Sequence, residues 1–359
     1  MWLLCHRLDR VGLLVMVLSY LCGAECVLAR SLVTWGGWRG AGEGPAIYDA
    51  NDVVAVAYNW PINLQLRADG SLGGDFLAPD GNDYVAIAGG VWHNLALRSD
   101  GSIVGWRSWI SSMVTMAWYG QEVPPDGNDF VAIAAGGIHS LALKTNGAIV
   151  GWGGDVDRGL GGIHDGRTTP PDGNDFVAIA AGGTHSLALR LDGLIAGWGG
   201  NYYGQATPPD GNDFVAVVAG AHHSLALRAD GSIVGWGSDY YGQATPPGGR
   251  GFVAIAAGLG HSLALKNDGS IVGWGADYLG QATPPVGNDF VVIGACLDTS
   301  YALTRGPCEY TLVGDVNGDC RVNAEDLELL MENWLVDCGL FPDDPACNRR
   351  WGGEVEGVR

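Results

Sequence analysis

The chain has 359 residues and is acidic, with 39 Asp and Glu against 19 Lys and Arg and a formal net charge of −20 at pH 7. Such a charge repels the phosphate backbones of DNA and RNA, so nucleic acid is not expected as a partner. Much of the acidity lies in Asp-Gly-Asn-Asp segments, where turn geometry and solubility are sufficient reasons for it.

Residues 1–29 have the pattern of a secretory signal peptide. Arg7 and Arg10 precede an apolar run over residues 11–22, and residues 27–29 (Val-Leu-Ala) supply the small side chains of a cleavage site. The run is too short to span a membrane comfortably. We therefore expect a free product, secreted outside the cell or to its surface, with no membrane span after signal removal. A retained N-terminal anchor is the alternative.

Seven copies of one pattern follow, and the clearest runs from Gly127 to Gly153. The copies begin at Asp52, Asp83, Asp129, Asp175, Asp213, Gly251 and Asp289. The last three steps between these starts are 38 residues each. A fixed period in this range predicts one supersecondary unit stacked many times, in which no unit can bury its apolar faces alone.

Each unit contains three strand patterns. In the fifth copy, residues 214–218 are apolar on both faces and residues 224–228 alternate between apolar and polar. Residues 233–236 then run back after an Asp-Gly turn. Asp-Gly or Asn-Gly between two apolar runs is a strong hairpin signal, because these residues tolerate positive φ.

A fourth, shorter strand is expected near each Gly-Gln-Ala-Thr-Pro-Pro segment, at Gly204, Gly242 and Gly280. Four-stranded sheets repeated about seven times predict a β-propeller. No segment between Ser31 and Pro307 has the pattern of an amphipathic helix. The sequence therefore predicts an all-β fold for this part of the chain.

One extra strand predicts how the ring closes. The third strand of a complete unit carries a tryptophan, and Asp75 stands in that place in the first unit. These tryptophans are Trp106, Trp152, Trp198, Trp236 and Trp274. The last unit, residues 290–304, lacks the strand, whereas residues 31–35 supply a lone copy ahead of the first unit. We expect this lone strand to complete the last blade and close a ring of seven blades without exposed sheet edges.

The shared pattern AGGxHSLALxxDGxIVGWGxxxxGQ resembles the regulator of chromosome condensation repeat. The resemblance covers about three quarters of the chain and rests on the glycines, the His-Ser-Leu-Ala-Leu segment and the Gly-Trp-Gly segment. It implies a seven-bladed β-propeller. The family includes a nuclear nucleotide exchange factor and a secreted inhibitor of β-lactamase, so the resemblance does not by itself assign an activity.

One histidine begins the second strand in five of the units. These residues are His93, His139, His185, His223 and His261. Because equivalent residues lie a blade apart, they cannot share a metal ion at ligand distances of about 2.0–2.1 Å. We expect structural hydrogen bonds from them, rather than metal binding or general-base chemistry. The repeated tryptophans are expected to pack blades together, with a sugar-stacking set as the alternative.

Loops are the better candidates for a binding site, because function concentrates in loops on a rigid scaffold. Two units each gain eight residues, over residues 107–121 and 154–169, and these insertions should be neighbours in space. Exposed aromatic residues suit carbohydrate or protein recognition, although they can also serve only to pack the loops. The candidate ligand-binding residues are Trp109, Trp118, Tyr119, His164, Tyr202, Tyr203, Tyr240, Tyr241 and Tyr278.

The repeat period stops after Pro307, and a twelve-residue loop of the calcium-binding type follows. Oxygen ligands stand at loop positions 1, 3, 5, 9 and 12, and position 7 offers a backbone carbonyl. The ligands would be Asp315, Asn317, Asp319, Asn323 and Asp326, with the carbonyl from Arg321. A tail of this size has too small a core to fold without a staple, so we expect bound calcium. A merely solvated acidic loop is the alternative.

This segment resembles one half of a type I dockerin, which implies a cohesin-like partner. It departs from dockerins at Cys320, where Gly is usual, and it lacks a second loop–helix copy. Four tail cysteines allow two disulfides in any of three pairings if the chain is exported. These are Cys308, Cys320, Cys338 and Cys347. Cys296 lies in an apolar strand and is expected to be a buried thiol.

The predicted organisation is a signal peptide over residues 1–29, a seven-bladed propeller over 30–306 and a dockerin-like tail over 307–359. We expect a secreted, monomeric, non-catalytic recognition or scaffold protein, with a propeller that binds protein or carbohydrate and a tail that tethers it. One alternative is a polysaccharide-degrading glycoside hydrolase or lyase. His164 and Asp165 could then do acid–base chemistry, although no nucleophile motif or metal triad accompanies them. The other alternative is an inhibitor of an extracellular enzyme.

Overall fold

The computed structural model describes residues 29–37, 45–59, 62–75, 77–108, 119–157 and 163–305. The regular elements in these ranges are all β-strands, and none of the described residues forms a helix long and apolar enough to cross a membrane. The chain divides into two units, Met1–Gly306 and Pro307–Arg359. The second unit and the first 28 residues lie outside the described ranges.

Three kinds of strand recur. The first strands are β2 (Ala46–Asn59), β5 (Tyr84–Gly89), β8 (Phe130–Ala135), β13 (Phe176–Ala181), β16 (Phe214–Ala219), β19 (Phe252–Ala257) and β22 (Phe290–Cys296). The second strands are β3 (Ile62–Arg67), β6 (His93–Arg98), β9 (His139–Lys144), β14 (His185–Arg190), β17 (His223–Arg228), β20 (His261–Lys266) and β23 (Thr299–Thr304). The third strands are β1 (Ala29–Gly36), β4 (Leu72–Gly73), β7 (Ile103–Arg107), β10 (Ile149–Gly153), β15 (Ile195–Gly199), β18 (Ile233–Gly237) and β21 (Ile271–Gly275). A further hairpin, β11 (Val156–Asp157) and β12 (Ile163–His164), lies in the second insertion.

Five repeats form separate antiparallel sheets of three strands, in the order first, second, third. The prediction of a fourth strand near Gly204, Gly242 and Gly280 is wrong, because these segments form turns. Each of these glycines has positive φ, which turns the chain, and the prolines that follow cannot donate to a strand ladder. The segment packs against the third strand instead, with the Ala206 carbonyl oxygen against the bare Cα of Gly197.

Strand β1 joins the two ends of the repeat array. It pairs antiparallel with β23, where Trp35 faces Ser300, as the lone N-terminal strand pattern predicts. Its other edge pairs with the beginning of the 14-residue β2, which then continues into its own repeat and pairs with β3 from Val53 onward. The last and first repeats therefore share one six-stranded sheet, in the order β22-β23-β1-β2-β3-β4.

Neighbouring sheets pack face to face through apolar side chains. The Leu-Ala-Leu residues of the second strands are buried, and Leu187 of β14 packs in one cluster with Phe214 of β16. Similar clusters join each sheet to its successor, and Leu303 of the last repeat packs in one cluster with Val56 of the first. Truncating such a leucine to alanine typically costs about 2–5 kcal/mol, so these contacts hold the array together.

The Asp-Gly hairpins confirm the predicted turns between second and third strands. Asp192 Oδ1 accepts a hydrogen bond from the Leu194 backbone N–H at 3.0 Å, and Gly193 has a φ of +84°. A Cβ at Gly193 would collide with the Asn212 carbonyl of the next repeat. Glycine is therefore required there both for the turn and for the close approach of the next sheet.

Candidate binding face

Each complete sheet has two ends. The second strand begins beside the end of the third, as His223 faces Gly237. The turn before each repeated histidine and the loop after each third strand therefore lie at the same end, which we call the loop end. The Asp-Gly hairpins lie at the opposite end, which we call the hairpin end. The two ends present different chemistry.

The hairpin end is charged, and most of its described cations pair with acids of the same chain. Arg190 contacts Asp175 at 2.5 Å, and its guanidinium carbon lies 4.4 Å from the ring centroid of Phe176. The hydrogen bond from Arg190 lowers the pKa of Asp175. Equivalent ion pairs are Arg67–Asp52, Arg98–Asp83, Lys144–Asp129 and Arg228–Asp213. Such exposed pairs add little to stability, and their charges mainly neutralise one another.

At the loop end, a buried glutamine fixes each tyrosine-bearing loop to the next sheet. The Gln205 backbone oxygen accepts hydrogen bonds from Trp236 Nε1 and Ser224 Oγ, each at 2.9 Å. Its side-chain Oε1 accepts one from the Tyr203 backbone N–H at 2.9 Å. The equivalent residues are Gln121, Gln243 and Gln281. The tryptophans therefore tie blades together, in agreement with the packing role expected for them.

The first repeat replaces this backbone contact with a carboxylate. Asp75 Oδ2 accepts hydrogen bonds from Trp106 Nε1 at 2.9 Å and from Asn94 Nδ2 at 3.0 Å. Asp75 stands 31 residues before its tryptophan, as Gln205 does before its own. Asp75 stands at the tryptophan's position in the register, as predicted, because Leu72 faces Leu66 as Ile233 faces Leu227. Strand β4 is only two residues long, however, and the Asp75 carboxylate accepts the hydrogen bond that the glutamine carbonyl accepts in other repeats.

The repeated histidines link the same sheets. His185 Nε2 lies 2.9 Å from Ser224 Oγ. That hydroxyl donates its own proton to the Gln205 carbonyl, so the imidazole must donate through Nε2. The equivalent pairs are His93–Ser140, His139–Ser186, His223–Ser262 and His261–Ser300. These contacts confirm the structural role expected for the histidines.

Burial keeps these imidazoles neutral. Desolvation lowers the pKa of His185 to about 3 and that of His223 to about 4. The His185 ring packs against Gly182, where an added Cβ would lie 2.5 Å from the ring Cε1 and from the Gly220 carbonyl oxygen. Among the described residues, no cluster of three or more His, Cys, Asp or Glu side chains is placed to hold a metal ion.

Five tyrosines stand exposed in loops at the loop end. Tyr202, Tyr240 and Tyr278 are 87%, 85% and 60% exposed, and their partners Tyr203 and Tyr241 are about half exposed. The rings of Tyr202 and Tyr203 meet edge to face with centroids 4.8 Å apart, and Tyr240 and Tyr241 repeat this geometry. We call these five residues the tyrosine arc. Three successive loops thus present aromatic rings of similar placement.

Contacts between neighbouring loops connect the arc. The Tyr203 ring centroid lies 5.5 Å from that of His222, and the Tyr241 centroid lies 6.4 Å from that of Tyr278, with the rings inclined at 57°. The Tyr278 hydroxyl donates a hydrogen bond to Asp298 Oδ1 at 2.5 Å. Burial and this bond to the carboxylate raise the pKa of Tyr278 to about 12. His222 and Asp298 belong to this surface, and sequence reasoning missed both.

Short side-chain caps hold the tyrosine loops in shape. Asp239 Oδ1 accepts a hydrogen bond from the Ala244 backbone N–H, and its Oδ2 accepts one from Thr245 Oγ1, both at 2.7 Å. Asp277 makes the same two contacts, to Ala282 and Thr283. Because the caps and the buried glutamines fix both ends of the loops, the rings are presented at little further entropic cost.

The two insertions approach each other at their described ends. An added Cβ on Gly154 would lie 2.9 Å from Tyr119 Cγ, so the Tyr119 ring packs against the start of the second insertion. This contact agrees with the expectation that the insertions are neighbours. Trp109 and Trp118, also predicted to bind ligand, lie outside the described residues.

Of the two residues considered for acid–base chemistry in the enzyme alternative, the structure describes the side chain of Asp165 and not that of His164. His164 ends β12, and its side chain lies outside the description. Asp165 Oδ1 accepts a hydrogen bond from Arg167 Nε at 2.7 Å, and Arg167 itself is buried. The carboxylate is thus held and neutralised by Arg167, which takes the place of the glutamine in this repeat.

The remaining predicted sites lie in the tail, outside the described residues. They are Asp315, Asn317, Asp319, Arg321, Asn323 and Asp326 for calcium, and Cys308, Cys320, Cys338 and Cys347 for disulfides. Cys296, expected to be buried, ends β22 and is only half-buried. It lies at the loop end, because it pairs with Thr299 across the last turn.

Three segments of the chain, residues 176–205, 214–243 and 252–281, match the family model of the regulator of chromosome condensation (RCC1) repeat. Each segment runs from the start of a first strand to the buried glutamine. No curated protein matches the chain.

Solved structures share the fold. Prp20p from Saccharomyces cerevisiae has a TM-score of 0.64 and 16% identity, covering 86% of this chain and 95% of its own. Human WBSCR16 has a TM-score of 0.59 and 17% identity, covering 77% and 99%. The CRINKLY WD40 ectodomain of the Arabidopsis thaliana receptor kinase ACR4 has a TM-score of 0.52 and 18% identity, covering 67% and 88%. Three segments of the chain therefore carry the regulator of chromosome condensation repeat, and the chain shares its β-propeller fold with these solved structures.

Proposed function

We propose that this chain is a secreted, non-catalytic recognition protein that binds a partner protein through the tyrosine arc. The observation that carries the proposal is the repetition of exposed, mutually packed tyrosines on three successive loops. Tyrosine supplies a large contact area with few rotatable bonds, and it is enriched among the residues that dominate binding energy at protein interfaces. The constant histidines and tryptophans serve the scaffold beneath.

We further propose that the scaffold is a ring of seven blades. Seven repeats in the sequence, the pairing of β1 with β23 and the packing of Leu303 with Val56 support this count. A closed ring suits a recognition role, because its loops are fixed by contacts on both sides.

Protein is the favoured ligand class for two reasons. The exposed arc extends over several loops rather than lining one deep pocket, which is typical of protein interfaces. Prp20p, which shares the fold, is known for binding Gsp1p and histones, and it has been seen bound to Kap60. Catalysis by the repeated histidines is disfavoured, because they are buried, neutral and hydrogen-bonded within the scaffold.

The tail is proposed to tether the propeller through calcium. This part of the proposal rests on the spacing of loop oxygens from Asp315 to Asp326 and on the resemblance to half a dockerin. A cohesin-like domain would be the partner of the tail. Secretion is supported by the sequence of residues 1–29, and extracellular calcium at millimolar levels would suit such a loop.

Site-specific photo-crosslinking tests the proposed binding face. A photoreactive phenylalanine analogue replaces Tyr240 in one variant and Val286 in another. Val286 is the matched control, since it is fully exposed and precedes the first strand of the last repeat, at the hairpin end. We expect an extracellular protein to be crosslinked from position 240 and not from 286. Equal labelling from both positions, or labelling from neither, would contradict the proposal.

A parallel assay addresses the enzyme alternative. The same purified chain is incubated with an array of extracellular polysaccharides, and the release of reducing ends is measured. We expect no turnover. Turnover that persists after rigorous purification and is lost on changing a loop-end carboxylate would refute the non-catalytic proposal.

A further inference from the structure

The rings of Tyr241 and Tyr278, on two successive loops, form an inclined pair that we call the wedge. Their centroids are 6.4 Å apart and their planes are inclined at 57°, so the rings do not stack on each other. Both rings are more than half exposed. A cation is attracted to an aromatic face within about 6 Å of its centroid, and a cation resting on the exposed side of this pair can lie within that distance of both rings.

A carboxylate stands at the edge of this wedge. Asp298 Oδ1 accepts the hydrogen bond from the Tyr278 hydroxyl at 2.5 Å, which fixes the acid beside the ring. Burial and that hydrogen bond raise the pKa of Tyr278 to about 12, so the hydroxyl keeps the proton that it donates to Asp298. Asp239 and Asp277 cap the same loops and are exposed there. Aromatic faces and negative charge are therefore combined on one surface.

The described cations of the loop end are engaged elsewhere. Arg107 pairs with Glu122 at 2.8 Å, and the buried Arg167 pairs with Asp165. At the hairpin end, five acids pair with an arginine or lysine of their own repeats, as described above; they are Asp52, Asp83, Asp129, Asp175 and Asp213. The wedge thus lies in a chain of net charge −20, and within the part of the chain that the structure describes the acids beside it form no ion pair with an arginine or lysine.

We propose that the wedge of Tyr241, Tyr278 and Asp298 binds an arginine or lysine side chain from a basic segment of the partner protein. This inference rests on the proposed function and names the chemistry of its ligand. The rings supply cation–π attraction, the carboxylate supplies the counter-charge, and the net charge of the chain speeds the encounter with a basic surface.

The geometry favours a cation over a sugar. A pyranose stacks on one flat ring face and needs hydrogen-bonding groups around its edge. Here the Tyr278 hydroxyl is already committed to Asp298, and the two ring planes converge instead of forming one flat platform. Inclined rings beside a carboxylate suit a compact or planar cation, and arginine can use its planar group for both contacts.

Calorimetric titration with defined probes tests the inference. The full mature chain is titrated with a hexa-arginine peptide, with its neutral hexa-citrulline counterpart and with a cello-oligosaccharide, at about 0.15 M salt to screen remote charges. The variants are Tyr241→Leu and Asp298→Asn. Asp192→Asn is the matched control, since it removes the same charge from an exposed Asp at the hairpin end.

We expect the arginine peptide to bind and the citrulline peptide and the oligosaccharide not to bind. Tyr241→Leu and Asp298→Asn should each weaken the arginine peptide about two- to fivefold, and Asp192→Asn should leave it unchanged. If Tyr241→Leu fails to fold, the affinity of the Asp298→Asn variant for the arginine peptide tests the inference by itself, because asparagine keeps the shape of the aspartate side chain.

Three results would overturn the inference: equal binding of the citrulline peptide, equal weakening by Asp192→Asn, or binding of the oligosaccharide in place of the peptide. Failure here is distinct from failure of the proposed function. If position 240 still crosslinks a protein while the arginine peptide does not bind, only the cationic ligand is refuted.

Discussion

Lowering the pH from 7 to 5 should destabilise the propeller strongly, because it depends on five buried neutral histidines. Burial lowers the pKa of His93 and His185 to about 3 and those of His223 and His261 to about 4. The pKa of His139 is also well below its usual value, again mainly because of burial. In the unfolded chain each imidazole has a pKa of about 6.5.

The unfolded chain therefore binds more protons than the folded chain below pH 6.5. The stability from these groups is fully present above that value and is lost as the pH falls towards the folded pKa values. Between pH 7 and pH 5 each of the four histidines with a pKa of about 3 or 4 costs about 2 kcal/mol, or about 7–8 kcal/mol for the four together, and His139 adds to this loss in the same direction. This exceeds or rivals the whole free energy of unfolding of a typical domain, which is about 5–15 kcal/mol.

Denaturant unfolding followed by tryptophan fluorescence at closely spaced pH values measures this effect. Near pH 5.5 the free energy of unfolding should change by at least about 5 kcal/mol per pH unit, equivalent to an uptake of more than about three protons. His185→Gln should reduce that uptake by about one proton, whatever its own cost in stability. A pH dependence of less than about 2 kcal/mol per unit would refute the assignment of buried, neutral histidines.

Three other predictions follow from single contacts. Asp75→Ala should lower the free energy of unfolding by about 2–4 kcal/mol in denaturant titrations, because Trp106 and Asn94 lose their buried acceptor; a change below about 0.5 kcal/mol would contradict that contact. Gly182→Ala should cost about 1–3 kcal/mol because its Cβ meets the Gly220 carbonyl, whereas Gly248→Ala, in open space, should be neutral; equal effects would contradict the packing. Calcium should raise the Tm of the tail in the full chain, and Asp315→Ala should abolish this shift; a shift that survives the substitution would exclude the proposed loop.

The strand plan of the repeats is readable from the sequence because it depends on local chemistry. Asp-Gly pairs set the hairpins, alternation sets the second strand, and the lone strand at residues 31–35 predicts the pairing of β1 with β23. The structure adds the second edge of β1, which pairs with the beginning of β2. No periodicity marks residues 46–51 as a strand, because they are ordered by β1, which lies close in space but earlier in the chain.

Contacts between blades were harder to predict, because they join residues far apart in the chain. Counted from the preceding Asp-Gly turn, Asp75 has the position of a tryptophan. Its carboxylate nevertheless accepts the hydrogen bond from Trp106, 31 residues later, as the Gln205 backbone oxygen does from Trp236. A constant spacing of 31 residues between acceptor and tryptophan is the signal that could have revealed it.

At the binding face too, local features could be predicted from the sequence and contacts between distant residues could not. The tyrosines could be named from their place before the Gly-Gln step, but their contacts with His222 and Asp298 could not. Those two residues come from turns of the following sheets, and no pattern in the sequence pairs them with the arc. The prediction of a fourth strand was wrong for a local reason. It relied on the analogy with four-stranded propeller blades, but a glycine with positive φ and two prolines prevent a strand there.

The most direct test of the central claim is the affinity of the crosslinked partner for the chain with Tyr202, Tyr240 and Tyr278 all changed to Ser. Each side chain is exposed at the loop end, so folding should be unaffected, and a native Tm is the control. If each ring contributes at least about 1 kcal/mol, the Kd should rise about a hundredfold or more. An unchanged Kd in a folded variant would contradict recognition through the tyrosine arc.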